Sequence, residues 1–145
     1  MKISAMTSSE LDSVRGLWEG LNAHHLSKST HFKEHFSTFT FQKRIEGLKK
    51  KDRLAAFAAE DSGEKVGYCI ATVHDRIGEI DSLFVSERYR GKGLGKELMS
   101  LAMEWLKGET CDAVMVAVAE GNEDVLDFYR QFGFAERLIV MQKRM

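Results

Sequence analysis

Proline is absent from the sequence, which excludes proline-rich linkers and tails, and no repeat or low-complexity tract interrupts the 145 residues. Cysteine is scarce. Cys69 and Cys111 form neither a CxxC pair nor a disulfide-rich pattern, and both lie in segments that read as strands, so they are expected to be buried reduced thiols. No apolar run approaches the ~20 residues of a membrane span, and residues 1–10 hold one lysine and no apolar leader core, which points to the cytoplasm and away from membranes. An excess of charge is missing too: 21 Lys plus Arg face 22 Asp plus Glu. No bulk field then recruits nucleic acid or an anionic membrane, and any anion site must be local. What is present is 43% hydrophobic residues, enough to furnish the core of one domain over residues 1–145.

Lys2 to Met6 alternates like a strand, and Thr7-Ser8-Ser9-Glu10 offers a capping box ahead of Leu11, Val14, Leu17, Trp18 and Leu21 at helical spacing. Residues 27–51 are polar and aromatic with loose periodicity, which suggests one or two irregular helices. Leu54 to Glu60 and Lys65 to His74 read as a hairpin around the turn cluster Asp61-Ser62-Gly63-Glu64, and Gly78 to Val85 adds a third antiparallel strand. Leu94, Leu98, Leu101, Ala102, Trp105 and Leu106 then share a helical face that stops at Lys107-Gly108. Asp112 to Ala119 reads as a buried central strand, Asn122 to Gln131 as a helix and Leu138 to Met141 as a last strand. The expected fold is a mixed α/β sheet: the hairpins are antiparallel, and the helix-linked later strands allow parallel pairing.

Arg90-Gly91-Lys92-Gly93-Leu94-Gly95-Lys96 falls between a strand and an amphipathic helix, where helical amides lack partners. Glycine lets a phosphate approach those amides closely, and Arg90, Lys92 and Lys96 add positive charge at the rim. A P-loop is excluded, because Glu97 follows Gly95-Lys96 and Arg90 stands where the first glycine is required. A dinucleotide fingerprint is excluded by Lys96 at its third glycine position and by the preceding meander. The pattern that remains, [Arg/Gln]-x-x-Gly-x-[Gly/Ala] over Arg90, Gly93 and Gly95, resembles the coenzyme A pyrophosphate loop of the GNAT superfamily of N-acetyltransferases.

Asn122-x-x-Val125-x-x-Phe128-Tyr129-x-x-x-Gly133-Phe134 resembles a second segment of that superfamily. On a helix, Asn122 and Tyr129 would stand two turns apart on one face. The resemblance, which covers about Gly78 to Phe134, implies a GNAT-like mixed sheet of about six to seven strands flanked by about four helices. It implies acetyl-coenzyme A as cosubstrate, with Leu83, Phe84, Val85, Arg90, Gly91, Lys92, Gly93, Leu94, Gly95, Lys96 and Asn122 holding it and no metal. Tyr129 would protonate the leaving thiolate, a role suited to a phenol of reference pKa ~10.

Ile80-Asp81-Ser82-Leu83-Phe84-Val85 looks like the family strand whose acidic residue sits near the acceptor amine. By alternation Glu79, Asp81, Leu83 and Val85 would share a face; Asp81 would orient the amine or take its proton, with Glu79 in reserve. The implied acceptor is a primary amine on a small molecule or peptide. His24, His25, His31 and His35 match no metal-ligand spacing and read as part of a helical lid. A short C-terminal strand would leave a sheet edge able to pair in a homodimer. The rival to an enzyme is a non-catalytic coenzyme A-binding or regulatory module; a phenol at Tyr129 beside Asn122 favours catalysis.

Overall fold

A computed structural model describes residues 1–145. One sheet carries β1 (Lys2–Met6), β2 (Arg53–Asp61), β3 (Glu64–His74), β4 (Ile77–Val85) and β5 (Ala113–Val116), adjacent in chain order. The first four are antiparallel and β5 runs parallel to β4. The meander follows from its turns. Ser62 and Gly63 take φ values of 52° and 85°, and Asp75 and Arg76 values of 49° and 66°, the left-handed pairs that two-residue hairpin turns require. Arg76 also grips Asp112 at 2.7 Å, tying the second turn to the start of β5.

The alternation of each strand feeds two cores. Ala56, Ala58, Tyr68 and Ile70 meet Trp18 of α1 (Arg15–Lys28) and Phe41 and Leu48 of α3 (Phe41–Leu48), while α2 (Lys33–Thr38) leans on α1. Phe57, Cys69, Ala71 and Ile80 face the other way, onto Leu98, Met99, Ala102 and Leu106 of α4 (Leu94–Lys107). Phe128, Tyr129, Phe132 and Phe134, in and after α5 (Leu126–Arg130), extend that second core. At the N-terminal end of the helical layer, Glu10 reaches back to the Thr7 amide at 3.0 Å, starting a 3-10 turn over Ser8–Val14 that runs into α1. No helix is long and apolar enough to cross a membrane.

The sheet has five strands rather than six or seven, and five helices flank it. Residues 135–145 form no strand: Leu138, Ile139, Val140 and Met141 are 58%, 89%, 80% and 91% exposed. Their strand propensity finds no pairing partner, and a strand exists only through one. The Val-rich run forms an edge strand of four residues, half-buried only at Val114 and Val116, because nothing pairs beyond it. Cys111 lies outside any strand and is half-buried, whereas Cys69 is buried in β3; both are free. Leu101 is exposed, off the buried face of α4. The helix expected from Asn122 begins only at Leu126, after a 3-10 turn over Glu123–Val125, so Asn122 and Tyr129 do not share a helical face.

Candidate active site

The central strands part at one residue. β4 and β5 pair from Ile77 with Ala113 to Ile80 with Val116 and no further. Across β4, Ile70 pairs with Ser82 and Ala71 with Ile80, leaving Asp81 as an extra, bulged residue. A bulge bends its strand and increases its twist, here where the two strands diverge. Beyond it Leu83, Phe84 and Val85 have no strand partner on the β5 side, and they line a cleft of ≈ 570 Å³ between the diverging chains. The bulge also re-sorts the faces. Ile80, Leu83 and Val85 all pack toward α4, whereas Phe84 packs toward α1, so Asp81 does not share a face with Leu83 and Val85 as strict alternation demands.

The Asp81 side chain is 3% exposed and turned toward α3, where Arg44 Nη1 donates to its Oδ1 at 3.2 Å. The Ser82 hydroxyl donates to Oδ2 at 3.3 Å. The Arg44 guanidinium lies over the Phe39 ring at 4.9 Å, which fixes it beside the carboxylate. Burial raises the Asp81 pKa above the usual aspartate range, and Arg44 opposes that rise. Glu79 is half-buried and raised as well, first by burial and then by the charge of Asp81.

An asymmetry between the two partners follows. Arg44→Ala should destabilise the fold by roughly 1–3 kcal/mol at neutral pH, because it strands a buried carboxylate. Asp81→Asn should be nearly neutral, since the partly exposed Arg44 can turn to water. Losing Arg44 raises the carboxyl pKa further, and a raised acid favours the folded state only when protonated. The Arg44→Ala deficit should therefore shrink as pH falls through that pKa, which denaturant titrations at several pH values will read.

At the other end of the cleft, a 3-10 turn over Glu87–Tyr89 leads into the glycine segment. The Tyr89 hydroxyl donates to Asp61 at 2.6 Å, fastening that turn to the β2–β3 hairpin. Gly91 and Gly93 adopt φ values of 75° and 82°, in the left-handed region, and a Cβ at either would meet nothing within 4 Å. They form an open cradle at the start of α4, where the amides of Leu94, Gly95 and Lys96 make no hydrogen bond within the chain. The helix dipole adds positive potential at the same place. This donor set fits a pyrophosphate, as coenzyme A would present. Arg90 folds back, its Nε donating to the Val85 carbonyl at 2.8 Å and its guanidinium lying 5.1 Å over Phe84.

Asn122 and Tyr129 form the third side. Tyr129 is half-buried, with its ring edge-on to Phe128 at 5.3 Å and to Phe134 at 6.0 Å. Burial, with a smaller contribution from Cys69, pushes its pKa up to about 12. Of the site residues picked from sequence, Asp81, Leu83, Phe84, Val85, Arg90, Gly91, Gly93, Leu94, Gly95, Lys96, Asn122 and Tyr129 all line this one cleft. Lys92 does not; its ammonium sits 5.4 Å over the Tyr89 ring. Sequence reasoning missed Arg44 and Tyr89, whose partners lie 37 and 28 positions away along the chain, and no local signal marks either.

The acetyltransferase (GNAT) family model matches residues 18–134. An uncharacterised N-acetyltransferase of Methanocaldococcus jannaschii is 31% identical over 100 residues, 64% of this chain and 44% of that protein. A mycothiol acetyltransferase of Streptomyces coelicolor is 32% identical over 85 residues, 57% of this chain and 28% of that protein. The matched regions thus span less than half of these relatives' lengths. Among solved structures, an aminoglycoside N-acetyltransferase in complex with coenzyme A superposes with a TM-score of 0.68 at 21% identity, covering 99% of this chain and 100% of that one. A ribosomal-protein-alanine N-acetyltransferase from Brucella melitensis gives 0.67 at 18% identity, with both chains fully covered. These two likenesses concern the fold.

Proposed function

The chain belongs to the acetyltransferase (GNAT) family, and from that premise we propose that it transfers an acetyl group from acetyl-coenzyme A to a primary amine by direct attack. The observation that carries this reading is the splay of β4 from β5. It opens one cleft whose ends are a glycine cradle for an anion and a half-buried phenol, with free strand backbone between them. Acetyl-coenzyme A supplies the acyl thioester and, once attacked, a thiolate leaving group.

The remaining work falls to this chain. Gly91, Gly93 and the first-turn amides of α4 would hold the pyrophosphate, with Lys96 adding charge at the cleft rim. The backbone of Leu83, Phe84 and Val85, unpaired on the β5 side, would hold the pantetheine arm and acetyl group, Arg90 giving up the Val85 carbonyl as the arm enters. Asn122 would steady the arm from the opposite side. The Tyr129 hydroxyl, kept neutral by burial, would donate its proton toward the sulfur. Asp81 would orient the acceptor ammonium or receive its proton, exchanging part of its bond to Arg44 for the amine.

The acceptor is a primary amine on a small molecule or peptide. The named relatives include a mycothiol acetyltransferase and a spermine/spermidine N(1)-acetyltransferase of Bacillus subtilis, and an aminoglycoside enzyme shares the fold. Acetyl-coenzyme A should raise the unfolding temperature, since a ligand bound only by the folded state stabilises it by mass action; ATP and NAD should do much less. Coenzyme A release should then be measured over a panel of polyamines, aminoglycosides, amino acids and peptide N-termini. Stabilisation by ATP or NAD with none by acetyl-coenzyme A would overturn the donor. Firm acetyl-coenzyme A binding without release on any amine would favour a coenzyme A-binding module instead.

A further inference from the structure

Three consecutive residues between β5 and α5 are each engaged with the C-terminal end of α1. Glu120 Oε1 accepts from the Ser29 hydroxyl, from the Thr30 amide at 2.9 Å and from the His31 amide at 3.1 Å. Ser29, only 2% exposed, uses the same hydroxyl oxygen to accept from the Phe32 amide at 3.0 Å. Gly121 comes next, with φ +88°, so close to the chain that a Cβ there would stand 2.1 Å from the Lys28 carbonyl oxygen. Asn122 Oδ1 then lies 3.2 Å from His24 Nε2, which donates to it.

These contacts join two walls of the cleft. Leu21, His24 and His25 line it from α1, while Asn122 and Tyr129 line it from the segment that follows Glu120. The sheet cannot hold these walls together, because β4 and β5 have already parted. The ring contacts of His25 with Phe36, and of Phe36 with His35, carry the α2 segment along with the α1 wall.

We propose that Glu120 is a positioning residue for acetyl transfer, holding the α1–α2 turn against the β5–α5 connection so that the α1 wall, in the helical layer toward which Asp81 turns for the acceptor, keeps its place opposite Asn122 and Tyr129. The assignment rests on the acetyltransferase reading of the cleft. A carboxylate is well suited to such a join, because three donors converge on one of its oxygens and hydrogen bonds to an ionised group are the strong ones. Those bonds, the Ser29 hydroxyl first, hold Glu120 below the usual glutamate range, so it is ionised at neutral pH. Glutamine keeps a carbonyl acceptor of the same reach, and alanine keeps none.

The test compares the parent with Glu120→Ala, Glu120→Gln and Ser29→Ala, using the best amine from the panel. Amide hydrogen exchange at Thr30, His31 and Phe32 reads the join directly, and steady-state kinetics with titrated acetyl-coenzyme A binding read its consequence. Glu120→Ala and Ser29→Ala should speed exchange at these amides and raise the acceptor KM about tenfold, with smaller changes in kcat and cofactor affinity; Glu120→Gln should recover most of both. Unchanged exchange in Glu120→Ala would overturn the join. Faster exchange with an unchanged acceptor KM would reduce Glu120 to a structural contact and overturn the positioning role. A parent that binds acetyl-coenzyme A yet turns over no amine overturns the acetyltransferase reading and the positioning role with it. That outcome is distinct from an active parent matched by Glu120→Ala.

Discussion

Tyr129→Phe is expected to lower turnover by ~10²- to 10⁴-fold while acetyl-coenzyme A affinity stays within about twofold, the signature of a lost general acid. The substitution removes one hydroxyl and keeps the ring that packs between Phe128 and Phe134, so folding should be little changed. The pKa of about 12 sharpens the test. A phenol that titrates so high remains protonated across the working range, so it should produce no high-pH decline of its own below about pH 11. A decline at lower pH that survives in Tyr129→Phe belongs to another group. Burial weakens the phenol as an acid, but it also raises the basicity of a thiolate formed in the same cleft, and the proton can still move toward sulfur. A loss of only a few-fold would assign the proton to water or substrate. Unchanged turnover would leave Tyr129 as packing.

Gly93→Val is expected to weaken acetyl-coenzyme A binding by at least ~100-fold, the larger part of it steric. Gly93 stands at φ 82° immediately before α4, and the space where its Cβ would project is open in the chain alone. A valine there fills the cradle and strains the backbone by roughly 1–3 kcal/mol. Strain can be separated from occlusion. Gly63→Val imposes a similar strain at φ 85°, in equally open space at the tip of the β2–β3 hairpin, and should lower stability without touching affinity. Arg90→Ala should weaken binding modestly, because the glycine turn and the first-turn amides of α4 supply most of the anion site. Calorimetry on the three variants distinguishes these cases, and normal affinity in Gly93→Val would move the cofactor elsewhere.

Legibility divides along the range of the interactions. The hairpin at Asp61–Glu64 and the amphipathic α4 behind the glycine turn are visible in sequence because turn chemistry and helical periodicity act over a few residues. The cleft-lining set was readable through the resemblance of three short segments to the family, the strand Ile80–Val85, the glycine turn and the tyrosine after an asparagine, and twelve of the thirteen residues they suggested line one cleft. Leu138–Met141 misled because four apolar residues express propensity without supplying a partner.

By itself the sequence determined the element types up to α4, the hairpin turn at Ser62-Gly63, the glycine turn that opens α4 and, through its motifs, the family. Tertiary structure alone decided that the sheet stops at β5, that Asp81 bulges toward Arg44 and that Glu120 closes on Ser29. Each of these depends on which distant segments meet: Arg44 and Asp81 are 37 positions apart, Ser29 and Glu120 are 91. A propensity or a periodic face is fixed by near neighbours, but a bulge, a strand edge or a buried ion pair exists only once the chain has brought its second partner into place.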